Sequence, residues 1–339
     1  MPPLCLYLEL TSLPDDKYQI VVRLPSGETI RAVAVNRIRS HEINVCFEIL
    51  SHYKHSITPL EESKIIRQFG QKLFNFLIGD HPPVYNAYIN VLGGLQGIRL
   101  ALALENAGQL AHLPWELLRD PERDFLALSS SVSVVRTAPH LVVSSSVPVI
   151  LPLRVLVITA TRNGEQDWRQ LSEATAALQQ YGHLKLDRLH PTSKSSLRLH
   201  LLAEDYHVIH YVGVSQPSPT AALTTDDLNH EYYPESTVRL LVAQHTSITA
   251  ATRNVFPAFA TLQFPIGRPA TTLFLREFYG ALLRVVTVDS AISHARRAIA
   301  NQFQTGEWAS SVLVTHPQTG VLFRPVFDAG AFPKQPTAR

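Results

Sequence analysis

The sequence predicts an α/β protein in which a mainly parallel sheet, flanked by helices, is preceded by a small α+β accessory region. From residue 149 to residue 330, short apolar segments alternate with segments of helical periodicity, which is typical of a parallel sheet with helical crossovers. Over residues 1–143, short alternating segments follow one another with turn residues between them. Apolar residues make up 45% of the 339 residues and charged residues 17%, so the chain can fill a large core. We therefore expect two domains, 1–143 and 149–330.

The accessory region is predicted to begin with a β-meander. We interpret residues 4–10, 18–24 and 29–35 as strands, and the last of these segments alternates along its length. Pro14-Asp15-Asp16 separates the first two segments, and Pro25-Ser26-Gly27-Glu28 separates the second from the third. Both runs have turn chemistry, so three antiparallel strands are expected.

A helix is predicted to follow the meander. The hydroxyl of Thr58 can cap this helix, Pro59 suits its first position, and Glu61 can complete a capping box. Gly79 is placed to end it. Apolar residues recur at helical spacing and would form one face that packs on the meander: Ile65, Ile66, Phe69, Leu73, Phe76 and Leu77.

The end of the accessory region combines a strand with an unusual apolar run. Residues 98–105 alternate strictly between apolar and small or charged side chains, which predicts a half-buried strand. The run that follows is Leu113-Pro114-Trp115-Glu116-Leu117-Leu118. Within it, Trp115 needs an acceptor for its indole N–H, and Glu116 needs a cationic or amide partner, for which Arg136 is a candidate. We interpret these residues as holding the accessory region to the sheet.

Beyond a small-residue linker at 144–148, strands and helices are predicted to alternate. The predicted strands comprise residues 153–159, 183–189, 207–215, 238–243, 259–263, 311–315 and 321–323. The predicted helices comprise residues 170–181, residues 193–202, residues 269–283 and a last one that starts at Thr287 or Asp289. On that last helix, Arg296 and Arg297 are expected to face away from the apolar stripe formed by Ile292, Ala295, Ile299 and Phe303.

The candidate functional site lies where two predicted strands end. The first strand contains His210-Tyr211-Val212-Gly213, and the second ends at Gln244-His245-Thr246-Ser247. Because open α/β sheets bind ligands at the carboxyl ends of parallel strands, we expect these two ends to lie side by side and to line a cleft. His210 itself is expected to be a core residue hydrogen-bonded to the backbone. The cleft-lining candidates are His210, Tyr211, Gly213, Ser215, Gln244, Thr246 and Ser247.

The chain resembles the CHAT domain, a caspase-like family of cysteine peptidases. The resemblance rests on the run at 113–118, on Phe125-Leu126-Ala127-Leu128, on Ser133-Val134-Val135-Arg136, and on His-Tyr-Val-Gly at 210–213. It implies a caspase-like sheet with a catalytic His and a nucleophilic Cys at the two strand ends.

The two catalytic positions that the resemblance implies hold other residues. Val214 stands at the His position and His245 at the Cys position, and no cysteine follows Cys46. Valine cannot move a proton, and imidazole does not replace a thiolate nucleophile. The resemblance therefore implies a degenerate member of the family, without catalytic residues.

Three functions stay open. The first is a pseudo-peptidase that binds a protein; the resemblance implies an active CHAT peptidase, a signalling ATPase or an adaptor as partner, in a prokaryotic defence or programmed-cell-death pathway. The second is a hydrolase in which Ser215, Thr246 or Ser247 acts with His245, or in which another chain delivers a thiol. The third is a small-molecule sensor that uses the vacated cleft.

A metal site is chemically possible but is not predicted. His210 and His245 could join a carboxylate from Asp226, Asp227 or Glu231, yet this spacing fits no short zinc motif. No Gly-rich phosphate loop is present either, so no cofactor is predicted.

Charge and cysteine content narrow the class of partner and the compartment. The net charge is +2 and no long run of one sign occurs, which argues against nucleic acid or an anionic membrane as a partner. The first residues carry no basic leader, and no apolar run approaches the ~18 residues of a membrane helix. We expect a cytoplasmic protein in which Cys5 and Cys46 are free, buried thiols.

Overall fold

The computed structural model describes residues 4–51, 58–93, 97–138, 140–141, 143–161, 163–189, 193–213, 223–224, 227–228, 237–244, 256–284 and 287–326. Within these residues, no helix combines the length and the apolar character that crossing a lipid bilayer requires.

Strands occur along the whole described chain. In chain order they are β1 (Leu4–Ser12), β2 (Lys17–Arg23), β3 (Thr29–Val35), β4 (Ile98–Ala103), β5 (Arg119–Asp120), β6 (Asp124–Phe125), β7 (Val132–Thr137), β8 (Val147–Ile150), β9 (Leu153–Thr159), β10 (Leu184–Arg188), β11 (Val208–Val212), β12 (Leu240–Gln244), β13 (Ala258–Leu262), β14 (Ser311–Thr315) and β15 (Phe323–Val326).

The described helices lie in four groups between these strands. They are α1 (Ser40–Leu50), α2 (Pro59–Phe74), α3 (Pro82–Leu92), α4 (Gly164–Ala174), α5 (Ala176–Gln180), α6 (Lys194–Ala203), α7 (Arg268–Leu282) and α8 (Val288–Phe303). The sequence analysis missed α1 and α3. In α1, β-branched and aromatic residues weaken the helical pattern, and α3 starts with two prolines that resemble a loop.

Eleven of the strands form one sheet, in the order β10-β9-β11-β12-β13-β14-β7-β4-β1-β2-β3. Neighbouring strands are parallel except in the pairs β1–β2, β2–β3 and β13–β14. The predicted mainly parallel sheet, flanked by helices and preceded by a small α+β region, is therefore confirmed. β14 pairs with β7, with Val314 opposite Arg136, so the sheet runs without a break from the accessory region into the second region.

The predicted start of α2 matches the structure in detail. Thr58 accepts a hydrogen bond from the backbone N–H of Glu61, and the Glu61 carboxylate accepts one from the backbone N–H of Thr58 at 2.9 Å. This reciprocal capping box satisfies two amide groups that the first helical turn would otherwise leave unpaired. The helix then continues into a π-helical turn, Asn75–Gly79, which ends at the predicted glycine.

The central sheet is covered on both faces, which corrects the prediction for residues 98–105. All six residues of β4 are buried, whereas strict alternation had predicted a half-buried strand. The charged residue on its second face, Arg99, is only 2% exposed because Asp289 of α8 neutralises it. The charged residue Arg99 in the alternating segment 98–105 therefore belongs to a buried ion pair and does not lie on a solvent-exposed face.

Arg296 of α8 was also predicted wrongly. It is completely buried and does not face away from the core. Its guanidinium donates to the carbonyl oxygens of Ser311, the first residue of β14, and of Val134 in β7. Burial lowers its pKa to about 10. Helical periodicity placed Arg296 outside the apolar stripe, but strands β7 and β14 of the sheet lie on that side.

Helix α4 begins six residues before the predicted start at 170, at Gly164. The backbone turns there against the end of β9: a Cβ atom on Gly164 would lie 2.9 Å from Oγ1 of Thr159. The helical segment then breaks at Thr175, whose hydroxyl donates back to the carbonyl of Leu171 at 2.8 Å. Polar composition in the first turns of α4 hid its start from the periodicity analysis.

Candidate functional site

The apolar run at 113–118 forms a fixed strap across the sheet. Glu116 accepts two hydrogen bonds from Arg136 of β7, at 3.1 Å from Nε and 2.7 Å from Nη2. Arg136 also donates to the carbonyls of Ala111 and Leu113. The indole N–H of Trp115 donates to the carbonyl of Leu110 at 2.8 Å. The structure thus contains the expected ion pair, and its contacts join the accessory region to the sheet.

The two strand ends that carry the candidate residues are neighbours. β11 and β12 pair in parallel, with His210 opposite Val242 and Val212 opposite Gln244. Their carboxyl ends therefore lie at the same edge of the sheet, as expected from parallel pairing.

His210 is held by side chains and not, as we expected, by the backbone. The ring is completely buried on the face covered by α7. Its Nε2 lies 2.9 Å from Nε2 of Gln244, and its Nδ1 lies 2.8 Å from the hydroxyl of Tyr279. Because the Gln244 amide nitrogen can only donate, Nε2 accepts, and the hydrogen of the neutral ring is assigned to Nδ1. Burial lowers the pKa of His210 to about 3, so the ring stays neutral and serves as a fixed support for Gln244.

Tyr211 and Gly213 occupy the other side of the same strand. The ring of Tyr211 is fully buried, and its hydroxyl donates to the carbonyl of Leu223 at 2.8 Å. A Cβ atom on Gly213 would lie 2.3 Å from that hydroxyl, so only glycine fits where the strand ends. Both residues therefore lie at the end of β11, on the side of the strand opposite to His210.

Several of the candidate residues lie outside the described residues: Val214, Ser215, His245, Thr246 and Ser247. Asp226 and Glu231 lie outside them as well. Asp227 is described, and it pairs with Lys194 at 2.6 Å and accepts from the backbone N–H of Thr224. Across the described segments, no group of three or more His, Cys, Asp or Glu side chains could hold a metal ion.

A cavity of about 510 Å³, which we call the strand-end cavity, lies beyond the carboxyl ends of β12 and β13. Its size falls within the range of small-ligand and peptide sites. Gln244 lies in its wall. The other lining residues come from the segments that follow β9 and β13: Asn163, Asp167, Gln170, Leu262, Gln263, Phe264, Pro265, Ile266, Arg268 and Thr271.

The polar side chains of this wall are held in place to different degrees. Gln263 accepts from Arg136 at 3.0 Å and donates to the carbonyl of His112 at 2.6 Å. Asp167 accepts from the hydroxyl of Thr161, and Gln170 donates to the carbonyl of Arg268. The Arg268 side chain is exposed and forms no ion pair within the described residues. Among the described residues, the cavity therefore offers rigid amide groups and the unpaired cation of Arg268.

The sequence analysis did not assign Asp167, Gln263 or Arg268 to the site. A signal was present: the residues at 160–170 and 263–271 directly follow predicted strands and lead into helices. In parallel sheets such segments surround the binding crevice, so position alone could have nominated them.

Neither cysteine of the chain lies in this cavity wall. Cys5 is on β1, which β4, β7, β14 and β13 separate from β12, a distance of about 24 Å at the usual strand spacing. Cys46 is completely buried in α1, although its neighbour Phe47 contacts Phe264 of the wall. Both thiols are free, and Cys5 is only partly buried, which corrects the expectation that both are buried.

Both thiols should react slowly with electrophiles at neutral pH. Burial raises the pKa of Cys5 to about 11, against a smaller opposing effect of Arg99, and raises that of Cys46 to about 12. Because the thiolate is the reactive form, iodoacetamide labelling of Cys5 should rise about tenfold per pH unit from pH 7 to pH 10. Mass spectrometry of the folded chain, with Cys5→Ser and a urea-unfolded sample as controls, measures this. A plateau near pH 8 would contradict it.

Comparison with known proteins supports the fold. No family model matches the chain, and no curated protein is similar to it in sequence. Two crystal structures of the Saccharomyces cerevisiae separase–securin complex match it in structure, one with a TM-score of 0.57 at 8% identity over 92% of this chain. The other has a TM-score of 0.50 at 9% identity over 94% of this chain. This chain covers 30% of the matched chain in both cases. At this identity the similarity concerns the fold alone, and it identifies the fold of this protein as the caspase-like α/β fold.

Proposed function

We propose that this protein is a catalytically inactive caspase-like protein that acts by binding another protein at the strand-end cavity. The observation that carries the proposal is a well-formed cavity at the ligand-binding edge of the sheet, combined with the position of both thiols outside its wall. A cysteine peptidase needs a thiolate next to its substrate. The only two cysteines of the sequence are Cys5 and Cys46, and both have raised pKa values.

The lining of the strand-end cavity suits an extended peptide segment. Gln244 and Gln263 present amide groups that match the donors and acceptors of a peptide backbone. His210 holds the first and Arg136 holds the second, so little side-chain entropy is lost on binding. Arg268 at the rim adds a cation that would recognise an acidic side chain of the partner.

The resemblance to the CHAT domain supports a role in a prokaryotic defence or programmed-cell-death pathway. It also implies the partners to test first: an active CHAT peptidase, a signalling ATPase or an adaptor. A cytoplasmic location accords with this proposal. Loss of the thiol and retention of the ion-paired strap at 113–118 are what selection for packing without peptide cleavage would leave.

Charge reversal at the cavity rim tests the proposal. The tagged 339-residue chain, Arg268→Glu and the control Arg276→Glu are used for capture from the host, followed by quantitative mass spectrometry. Arg276 is exposed on α7 and lies outside the cavity wall, so its substitution controls for effects away from the cavity. Both variants change the net charge equally. We expect at least one protein to be captured by the wild type and the control and to be depleted about tenfold or more with Arg268→Glu, since like charges at an interface cost more than 1.4 kcal/mol.

Two outcomes would count against this function. If all three forms capture the same proteins equally, the strand-end cavity is not the binding surface. If an electrophilic hydroxyl-directed probe labels the chain, and His245→Ala abolishes the labelling, the protein is a hydrolase with a hydroxyl nucleophile. That second result would replace the pseudo-peptidase by the alternative that the sequence left open.

A further inference from the structure

A second cavity, of about 400 Å³, lies between one side of α8 and the starts of β4 and β7. We call it the helix-side cavity. Hydroxyl groups predominate in its wall: the serine run at 129–131 lies on the strand side, and Thr287, Ser290 and Ser293 lie on the helix side. Its volume is in the range of small-molecule sites. None of its lining residues belongs to the strand-end cavity.

Ser293 is a buried polar residue of this cavity wall. The residue is 3% exposed, and its hydroxyl has no hydrogen-bond partner among the residues that the structure describes. A buried hydroxyl without a partner destabilises the fold, and nearly all buried polar groups are paired. In the second turn of α8, Ser293 lies in the cavity wall. A ligand with hydrogen-bond acceptors would complete its bonding.

The charge of the cavity is positive. Asp289 is in the wall, but Arg99 binds both of its carboxylate oxygens, at 2.6 Å and 3.0 Å, and Ser133 donates to it at 2.5 Å. That pair cancels. Arg297 remains: it is half-buried, donates to the carbonyl of Ser129 at 2.8 Å, and forms no ion pair with any described carboxylate. The first turn of the 16-residue helix α8 adds its positive dipole end.

We propose that the helix-side cavity binds a small phosphorylated molecule. A phosphate group offers only acceptor oxygens and a double negative charge, which match the hydroxyl donor of Ser293 and the guanidinium of Arg297. The hydroxyl of Ser290, which lies 2.9 Å from that of Thr287, borders the same space. The phosphate would occupy the end near Ser293 and Arg297, and the rest of the volume would hold the organic part. The sequence has no Gly-rich phosphate loop, so this site uses side-chain hydroxyls instead of backbone amides. It does not depend on the protein-binding function proposed above.

Calorimetry on the full chain tests this assignment. The probes are inorganic phosphate, glycerol 3-phosphate and adenosine monophosphate, with potassium chloride at equal ionic strength as the blank. We expect saturable binding of at least one ester at about 1 mM or below. Arg297→Gln should weaken it about tenfold or more, and Ser293→Ala several-fold, because hydrogen bonds to a charged group are lost. Arg276→Gln removes an arginine outside the cavity and should change nothing.

The Ser293→Ala variant keeps the test independent of folding defects. Because this hydroxyl has no partner, its removal should leave the thermal midpoint of the ligand-free protein unchanged or higher. Equal binding by all variants, or no saturable binding of any phosphate, would overturn the proposal. If inorganic phosphate binds as tightly as both esters, the occupant is the free anion and the assignment of an organic phosphate is wrong.

Discussion

Replacing Glu116 with glutamine is expected to lower the free energy of unfolding by about 3–5 kcal/mol. Glu116 is completely buried and Arg136 is 2% exposed, so neither charge has access to water. Glutamine keeps the shape of the side chain but removes its charge, which leaves the guanidinium with carbonyl and amide acceptors only. An uncompensated buried charge is among the most destabilising defects of a protein core. Urea unfolding at pH 7, followed by circular dichroism, measures the loss.

Two matched variants make the Glu116 experiment specific. Glu9→Gln breaks an ion pair with Arg23 of similar length, 2.8 Å, but both side chains are partly exposed to water, Glu9 at 30% and Arg23 at 53%. It should cost less than about 1 kcal/mol. The double variant Glu116→Leu with Arg136→Met removes both buried charges and should recover part of the lost stability. Equal costs for Glu116→Gln and Glu9→Gln would show that the strap does not depend on this pair.

Replacing Asp289 with asparagine should be similarly costly, about 3–5 kcal/mol at pH 7. Arg99 and Asp289 are each 2% exposed. Arg99 joins β4 to α8 and also reaches the carbonyls of Pro317 and Thr319, beyond β14. Loss of the carboxylate therefore loosens three elements at once. The control Glu204→Gln removes a carboxylate that pairs with Arg154 at the surface, where it is 47% exposed, and should cost less than about 1 kcal/mol.

The Asp289 pair also makes stability depend on pH. Burial alone would raise the pKa of Asp289, but the Arg99 charge and the hydrogen bonds from Arg99 and Ser133 hold it below the ordinary value of 3.8. A carboxyl whose pKa is lowered by folding stabilises the protein above its unfolded pKa, and this contribution is lost as the pH falls through the folded pKa. The difference in stability between wild type and Asp289→Asn should thus be constant from pH 7 to pH 5 and shrink below about pH 4. A difference independent of pH down to pH 2 would contradict this.

Much of the sheet could be predicted from local patterns. The strands β1 to β3 and β9 to β14 match predicted segments because apolar residues recur in short segments between turn residues, and all of these strands except β10 contain β-branched residues. The start of α2 at Thr58 was predictable because capping depends on three neighbouring residues alone. In contrast, α1 and α3 have weak local signals, and contacts with the rest of the core stabilise them.

The sequence by itself determined the fold class, the absence of a cysteine after Cys46, and the pairing of Glu116 with Arg136. These depend on residue type and on periodicity, which the chain states directly. Only the tertiary structure decided which charges are buried and what His210 contacts: Arg99 and Arg296 looked solvated in their patterns, and Gln244 and Tyr279 come to His210 from distant segments. Burial and hydrogen bonding depend on what covers each face, and a linear pattern does not contain that information.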